Sequence, residues 1–308
     1  MTKFNNSTST AFLRTDFLPM KDATISIASS PVLYGLSVYT VFAANWNEKH
    51  QKLYVFRLKD HYQRLINSAK IMDFHSFVDT WTFEKFQKIM QDLLEKNTIQ
   101  EDVLVRVTVF IDEELAGTKL HGLKNSLSAF IYPLGQLLPK DGIKVCISSW
   151  ERNADNAIPA RAKVNGSYIN ASLMKNEALL NGYDDAIAVD QHGHISESTV
   201  ANVFLVRSGT LITPDTATDI LEGITRDSIL QLANHLKIPT QQRTVDRSEL
   251  YIADEVLLCG SSAGIVPAVS VDSRKIGSGK PGPITAKLAN AFQSILHGDS
   301  SDFGHWLT

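Results

Sequence analysis

Cysteine is scarce in this chain: Cys146 and Cys259 are the two cysteines among 308 residues, and each lies in an apolar run. Because of these apolar surroundings we expect buried free thiols in a reducing compartment, and two cysteines so far apart in sequence show no metal-ligand spacing. A large excess of positive or negative charge is lacking as well, because the formal net charge is only −3. The sequence therefore gives no general attraction to nucleic acid or to an anionic membrane.

Long apolar runs are also missing. No stretch approaches the roughly 20 apolar residues of a membrane span, and residues 1–10 lack the apolar core of a secretory signal. The composition, with 44% hydrophobic and 20% charged residues, is that of a globular protein with a substantial core. We therefore expect a cytoplasmic protein of enzyme size.

Apolar residues follow both helical and strand spacing, which predicts a mixed α/β fold. Valines at every second position from 103 to 109 predict a strand whose other face carries Arg106. Residues 86–94 follow helical spacing behind Thr82 as N-cap. Residues 133–142 are punctuated by proline and glycine. We predict a small N-terminal α/β domain at 1–132, an interdomain loop at 133–142 and a large domain at 143–308.

Shorter patterns predict the remaining elements. Gly182 ends a helix at 171–181, and Asp246 with Glu249 forms a capping box. Further helices are predicted near 58–69, after 225 and near 284–296, and strands at 126–132, 143–149, 185–189, 202–206, 210–213 and 256–259.

Lys163 is the first candidate for chemistry. Ala162, Val164, Asn165 and Gly166 flank it, and a lysine in a desolvated setting loses its proton more readily and attacks carbonyl groups. Alone this is a weak signal, since most lysines are exposed.

Tyr168 and Glu197 strengthen the signal of Lys163. A carboxylate beside a pyridine nitrogen keeps that nitrogen protonated, so that the ring accepts electrons. The three side chains could therefore serve different atoms of one aromatic aldehyde cofactor.

Two turns and one arginine are candidates for binding a phosphate. Gly223-Ile224-Thr225 opens a helix, and 260–264 is a turn of small residues after a strand. Both offer backbone N–H groups to an anion, although each alone is more often an ordinary cap or turn. Arg64 lies about 240° around its helix from Leu58, so it is either a solvated arginine or a phosphate ligand.

A metal site is not predicted. His192 and His194 lie in a hairpin-like turn, and we interpret them as turn residues and not as ligands.

In combination these motifs resemble a known family. Lys163-Val-Asn-Gly-Ser-Tyr168, Glu197 with Asn202-Val-Phe, Leu221-Glu-Gly-Ile-Thr-Arg-Asp227 and His61-Tyr-Gln-Arg64 occur in the order and spacing of fold-type IV (class IV) pyridoxal-phosphate aminotransferases. The nearest subgroup is that of the branched-chain amino acid aminotransferases. The resemblance covers nearly the whole chain and implies the two-domain architecture shared with D-amino acid aminotransferase.

The resemblance implies a role for each matching residue. Lys163 would form a Schiff base with pyridoxal 5'-phosphate and move the α-proton of the substrate. The family is dimeric, and a homodimer or higher homo-oligomer acting on an amino acid and a 2-oxo acid is implied. The implied cofactor-binding residues are Lys163, Arg64, Tyr168, Glu197, Leu221, Ile224, Thr225 and Ser261, and the implied substrate residues are Tyr34, Tyr39, Arg106, Ser262 and Ala263.

The chain departs from the branched-chain pattern at positions near the substrate. Leu104 stands where a tyrosine is usual, Tyr39-Thr40-Val41 replaces Phe-Glu-Gly, and Leu137 replaces an aromatic residue. Near the cofactor, Ser198 replaces a glycine, and 264–266 departs from Glu-Ile-Thr. These departures leave the cofactor prediction intact and bear on the amino donor.

Four functions follow as hypotheses. The first is transfer of an amino group between a hydrophobic, branched-chain amino acid and 2-oxoglutarate. The second is a transaminase of the same fold for D-amino acids or (R)-amines, suggested by Tyr39, Val41 and Leu104. The others are an aminodeoxychorismate lyase and a cofactor-binding protein without turnover; the intact Lys163, Tyr168 and Glu197 argue against the last.

Overall fold

The structure, a computed structural model, describes residues 9–134 and 141–308. It contains two compact units. The first comprises the described part of residues 1–135 together with Ala162–Gly166 and Ile295–Thr308, and the second comprises the described part of 136–161 with Ser167–Ser294. The predicted domain division remains a proposal, and Leu137 lies outside the described residues.

The first unit is built on a six-stranded antiparallel sheet with the order β2-β1-β6-β5-β3-β4. One face of this sheet carries the alternate valines of β5 and is buried under helices. Its strands are β1 Thr10–Leu13, β2 Asp16–Pro19, β3 Ser37–Asn47, β4 Lys52–Val55, β5 Val103–Ile111 and β6 Asn125–Pro133. Its helices are α1 Ser30–Tyr34, α2 Leu58–Ile71, α3 His75–Val78 and α4 Phe83–Asn97.

The helices of the first unit follow from local sequence. Thr82 caps α4 by accepting a hydrogen bond from the Lys85 N–H, which satisfies one of the free N–H groups of the first turn. Leu65 of α2 and Phe86 of α4 are fully buried, so the apolar stripe of each helix faces the core. This packing presents one side of α2 to β3, the strand that carries Tyr39 and Thr40.

The second unit contains a larger mixed sheet with the order β12-β11-β10-β13-β14-β7-β8-β9, in which β9 also pairs with β10. This pairing closes the strands from β10 to β9 into a ring with a core of Val, Ile and Leu side chains. Its strands are β7 Ile143–Ile147, β8 Asp185–Val189, β9 Ile195–Ser198, β10 Asn202–Arg207, β11 Thr210–Thr213, β12 Thr240–Gln242, β13 Glu255–Gly260, β14 Gly264–Val271 and β15 Arg274–Lys275. The remaining helices are α5 Tyr168–Leu180, α6 Ile224–His235, α7 Arg247–Tyr251 and α8 Pro283–Leu296.

The mixed α/β prediction is confirmed, and most predicted elements occur within two or three residues of their expected ends. The capping box of Asp246 and Glu249 is present, and both cysteines are buried and free. The helix predicted at 171–181 begins three residues earlier, so that it includes Tyr168. None of the helices in the described ranges is long and apolar enough to cross a lipid bilayer.

Candidate active site

The predicted site residues fall into two groups. Lys163, Arg64, Tyr34, Tyr39 and Arg106 belong to the first unit, and the other predicted site residues, Tyr168, Glu197, Leu221, Ile224, Thr225, Ser261, Ser262 and Ala263, belong to the second.

The backbone around Lys163 is fixed between β3 and α2. The Tyr39 N–H donates to the Lys163 carbonyl oxygen over 3.0 Å, and the Lys163 N–H donates to Ser68 Oγ on α2 over 3.1 Å. Val164 adds a bridge to Val38. The segment Lys163-Val164, the lysine segment, thus continues the sheet beyond β3, and the side chain of Lys163 starts from a rigid backbone.

Two glycines let the loop after α1 approach the lysine segment. Gly35 follows Tyr34 and has a φ of +69°, and a Cβ on it would lie 2.9 Å from Gly166 Cα. At Gly166 an added Cβ would make ordinary contacts, the nearest at 3.5 Å. The strict requirement for glycine is therefore at Gly35, because its backbone conformation and its neighbour both exclude a side chain.

Two cations of this unit lie over the ring of Tyr39. The Arg106 guanidinium carbon lies 3.8 Å and Lys163 Nζ 5.0 Å from the centre of the Tyr39 ring, both within the range of a cation–π attraction. Arg106 Nη2 also donates to Asn165 Oδ1 over 2.5 Å. Asn165 in turn donates to Ser37 Oγ over 2.8 Å, so a chain of hydrogen bonds fixes the arginine.

Arg106 lies on the predicted face of β5. The four alternate valines of this strand are at most 1% exposed, whereas Arg106 and Thr108 on the other face are partly exposed. The alternation argument for Arg106 is thus confirmed as far as its position on the strand is concerned. Its contact with substrate stays a prediction.

Arg64 projects from α2 toward β3. Its Nη2 donates to the Thr40 hydroxyl over 3.3 Å, and the same hydroxyl lies 2.8 Å from Nδ1 of His61. Arg64 is half-buried, so it is not the solvated surface arginine of the alternative interpretation.

Glu197 is the centre of the second group. Its carboxylate is buried and pairs with Arg152, whose Nη2 lies 2.7 Å from Oε1. Asn202 Nδ2 and the Leu221 N–H each donate to Oε2 over 3.1 Å. Asn202 faces Glu197 across the β9–β10 pairing, so closure of the ring brings the amide to the carboxylate.

The hydrogen-bond count of Glu197 fits a pyridine cofactor. A carboxylate accepts about four hydrogen bonds, and three donors already surround this one. One acceptor position is left for the N–H of a protonated pyridine ring. Arg152 balances the negative charge, which makes the buried carboxylate tolerable.

The first turn of α6 fits a phosphate group. Gly223 is its N-cap and has no side chain of its own to cap the helix, and the dipole at a helix N-terminus attracts an anion. A Cβ on Gly223 would lie 2.0 Å from Asn202 Oδ1, so the glycine also places this turn beside the partner of Glu197. Ile224 and Thr225 are buried at the start of the helix.

The remaining predicted residues of the second unit occupy two other places. Ser261, Ser262 and Ala263 form the turn between β13 and β14, which closes on Gly264 in the left-handed conformation. Tyr168 begins α5 and packs with the cluster around Cys146 and Met174.

Burial makes the two thiols of the second unit unreactive. It raises the pKa of Cys146 to about 11, with Glu177 and Asp272 adding to the effect, and it raises the pKa of Cys259 still further. Neither thiol is a nucleophile at neutral pH, since the thiolate is the reactive form.

Several residues that contact the predicted site residues within each unit were not predicted. Arg152, His61, Thr40 and Asn165 carry no local signal of their own, because each acts through a partner on another element. His192 and His194 lie in the turn between β8 and β9, as interpreted from the sequence. In the described ranges, three side chains within reach of a single ion occur at Asp73, His75 and His121, on the surface of the first unit.

The chain matches the family model of the amino-transferase class IV proteins over residues 37–271. It is 36% identical over 301 residues to a probable branched-chain-amino-acid aminotransferase of Aquifex aeolicus (strain VF5), covering 97% of this chain and 96% of the relative.

Solved structures agree with this match. The branched-chain aminotransferase of Thermoproteus uzoniensis with norvaline has a TM-score of 0.91 at 33% identity, covering 97% of this chain and 98% of the other. The T.th. branched-chain amino acid aminotransferase complexed with N-(5'-phosphopyridoxyl)-L-glutamate has a TM-score of 0.90 at 29% identity, covering 98% of each chain.

Proposed function

The chain belongs to the amino-transferase class IV family, and from this premise we propose that it transfers amino groups between branched-chain amino acids and 2-oxoglutarate with pyridoxal 5'-phosphate. The observation that supports this cofactor is the buried Glu197 carboxylate. Arg152 balances its charge, and one hydrogen-bond acceptor position is left on it. The choice of substrates is supported by the relatives, which are branched-chain aminotransferases, and by the norvaline and the phosphopyridoxyl-glutamate of two similar structures.

Pyridoxal 5'-phosphate, when bound, supplies an aldehyde that condenses with amines and a pyridine ring that takes up an electron pair. We assign Lys163 as the residue that would hold the cofactor at its aldehyde carbon, with release of water, and that would carry the substrate α-proton on Nζ once the substrate amine has taken its place there. Glu197 would hold the proton on the pyridine nitrogen, and Tyr168 would donate a hydrogen bond to the phenolic oxygen. The phosphate is assigned to Arg64, Ile224, Thr225 and Ser261, and the packing against the ring to Leu221.

We propose that Arg106 binds a carboxylate group of the substrate. Tyr39 and Asn165 hold its guanidinium in one place, and both are neutral, so its positive charge is available to an anion. The other side chains proposed to line the substrate are Tyr34, Tyr39, Ser262 and Ala263.

A D-amino acid or (R)-amine transaminase is the alternative that the sequence left open at Tyr39, Val41 and Leu104. The comparisons do not favour it, because the reported relatives are branched-chain enzymes over nearly their full length. The lyase hypothesis has no support from them either.

The decisive experiment is a panel of half-reactions with the yellow holoenzyme. L-Leucine should bleach the cofactor band rapidly, whereas D-alanine and (R)-1-phenylethylamine should leave it. Bleaching by D-alanine or the amine and not by L-leucine would overturn the branched-chain assignment.

Covalent labelling tests the lysine separately. Borohydride should fix the cofactor to Lys163, and a Lys175→Ala variant should label as the wild type does, because Lys175 lies on α5 beside Asp185. A colourless protein that takes up no pyridoxal phosphate would contradict every enzymatic function considered.

The assembly and the location complete the proposal. A homodimer is proposed from the family resemblance, and light scattering on the purified chain gives its mass directly. A cytoplasmic location is proposed from the two buried free thiols, which suit a reducing compartment.

A further inference from the structure

A buried histidine stands behind Arg64 in the first unit. His61 lies on α2, one turn before Arg64, and none of its side chain is exposed. Its Nδ1 is 2.8 Å from the hydroxyl of Thr40 on β3, and Thr40 is itself fully buried. The same hydroxyl accepts a hydrogen bond from Arg64 Nη2 over 3.3 Å. One hydroxyl group therefore connects the imidazole with the guanidinium.

The imidazole of His61 is neutral. Burial, together with the positive charges of Arg64, Arg57 and Lys163, holds the pKa of His61 well below its usual range. A neutral imidazole has one N–H donor and one bare nitrogen that accepts. The choice of accepting nitrogen decides whether the Thr40 hydroxyl donates a hydrogen bond to His61 or accepts one from it.

The hydrogen-bond count selects one tautomer. If Nδ1 accepts, the Thr40 hydroxyl donates its proton to His61 and its oxygen accepts the N–H of Arg64. If Nδ1 carried the proton, the Thr40 oxygen would accept twice, and its own proton would have no acceptor among the described residues. Nε2 of His61 has no hydrogen-bond partner in the described ranges under either arrangement. The first arrangement leaves fewer buried polar groups unpaired, which is the cheaper state.

We propose that Thr40 and His61 are positioning residues that fix the Arg64 guanidinium for the cofactor phosphate; this inference rests on the phosphate role assigned to Arg64 above. The physical advantage is that both partners are neutral. They restrict the rotamers of a long side chain, whose ordering otherwise weakens binding, and as neutral groups they do not compete with the phosphate for the positive charge of Arg64. A carboxylate in the place of Thr40 would hold the arginine equally well but would compete with the phosphate for that charge.

The test uses the full-length chain, stripped of cofactor, and two probes that differ by the phosphate group. Thr40→Val removes the hydroxyl at nearly constant shape, and Thr40→Ser keeps it. Thr40→Val should weaken the binding of pyridoxal 5'-phosphate about fivefold to tenfold and change the binding of pyridoxal by less than about twofold. Thr40→Ser should bind both probes as the wild type does. Equal weakening of the two probes would show a general packing defect and overturn the inference.

A double-mutant cycle separates this inference from the proposed function. In an Arg64→Ala background, Thr40→Val should have no further effect on pyridoxal 5'-phosphate affinity, because the positioned group is gone. If Arg64→Ala itself leaves that affinity unchanged, the phosphate role of Arg64 fails. If Arg64→Ala weakens it and Thr40→Val does not, the positioning role alone fails.

The tautomer of His61 in the wild-type protein provides a further test. In holoenzyme labelled with 15N at its nine histidines, the His61 signal, assigned by its loss in His61→Asn, should show a bare Nδ1 and a protonated Nε2 at pH 7. A protonated Nδ1 would reverse the hydrogen bond to Thr40 and overturn the arrangement.

Discussion

The surroundings of Lys163 in the first unit and those of Glu197 in the second unit hold charge in opposite ways. In the first, the guanidinium of Arg106 contacts an aromatic ring and an amide, Lys163 contacts the same ring, and Arg64 contacts a hydroxyl. In the second, the carboxylate of Glu197 contacts a guanidinium and two N–H donors. Neutral contacts such as those of Arg106 position a charge without neutralising it, whereas a charged partner such as Arg152 makes the burial of Glu197 tolerable.

Of the changes that test this comparison, removal of Lys163 should have the largest effect on the transamination rate. Lys163→Ala deletes both the nucleophile and the proton carrier proposed for the reaction, so transamination should fall by about 10⁴-fold. The rate with L-leucine and 2-oxoglutarate measures it, and Lys175→Ala serves as the matched lysine control. Full activity in Lys163→Ala would remove its assigned role.

Neutralising the carboxylate should have the next largest effect. Glu197→Gln leaves no anion to hold a proton on the pyridine nitrogen, so kcat should fall by about 10²-fold. Glu222→Gln is the control, because Glu222 is exposed and pairs with Arg161. An equal kcat in the two variants would mean that the charge of Glu197 is not used.

The free energy of unfolding should show how much the buried Glu197 depends on its charged partner, Arg152. Arg152→Met leaves the buried Glu197 without its cation, and removing one member of a buried pair costs about 3 kcal/mol or more. Urea unfolding measures this loss. Arg161→Met, which breaks exposed contacts, should cost less than about 1 kcal/mol. Similar losses in both variants would show that the Arg152 pair is not needed for burial.

Loosening a neutral contact in the first unit should change binding more than turnover. Asn165→Ala frees Arg106 from its hydrogen bond, so KM for 2-oxoglutarate should rise about fivefold while kcat stays nearly constant. Asn170→Ala, close in sequence but bonded to Glu151, is the matched control. A fall in kcat at constant KM would contradict this role of Asn165.

The smallest effect is expected at a charged contact remote from the candidate site. Hydrogen bonds from Arg243, and secondly from Asp246 and Arg207, lower the pKa of Glu249 to about 2. Because the folded pKa lies below the unfolded value, the stabilisation is complete above about pH 4.5 and is lost as pH falls toward 2. Glu249→Gln should therefore cost about 1 kcal/mol at pH 7 and almost nothing near pH 2, with activity at pH 7 unchanged. Thermal unfolding at the two pH values checks it, and a constant difference would contradict the linkage.

Local sequence predicted the elements that depend on local physics. The alternation of β5, the stripe of α4 with its Thr82 cap and the capping box of α7 are set by side-chain periodicity and by hydrogen bonds a few residues apart. The strand β3 was not predicted, because almost all of its residues are buried and its sequence does not alternate. A strand buried on both faces has no two-residue period to detect.

The family was in the sequence by itself: a lysine, a tyrosine and a glutamate in order, with a glycine opening a helix, indicated class IV aminotransferases, and the family match confirms that membership. The roles of these residues stay predictions. The tertiary structure alone decided which groups hold them. Arg152 meets Glu197 from 45 residues away, Asn202 reaches it because β9 pairs with β10, and Thr40 joins His61 to Arg64 across two elements. Such contacts depend on strand register and packing, and no local pattern encodes them, because each partner gains its role from the other's position.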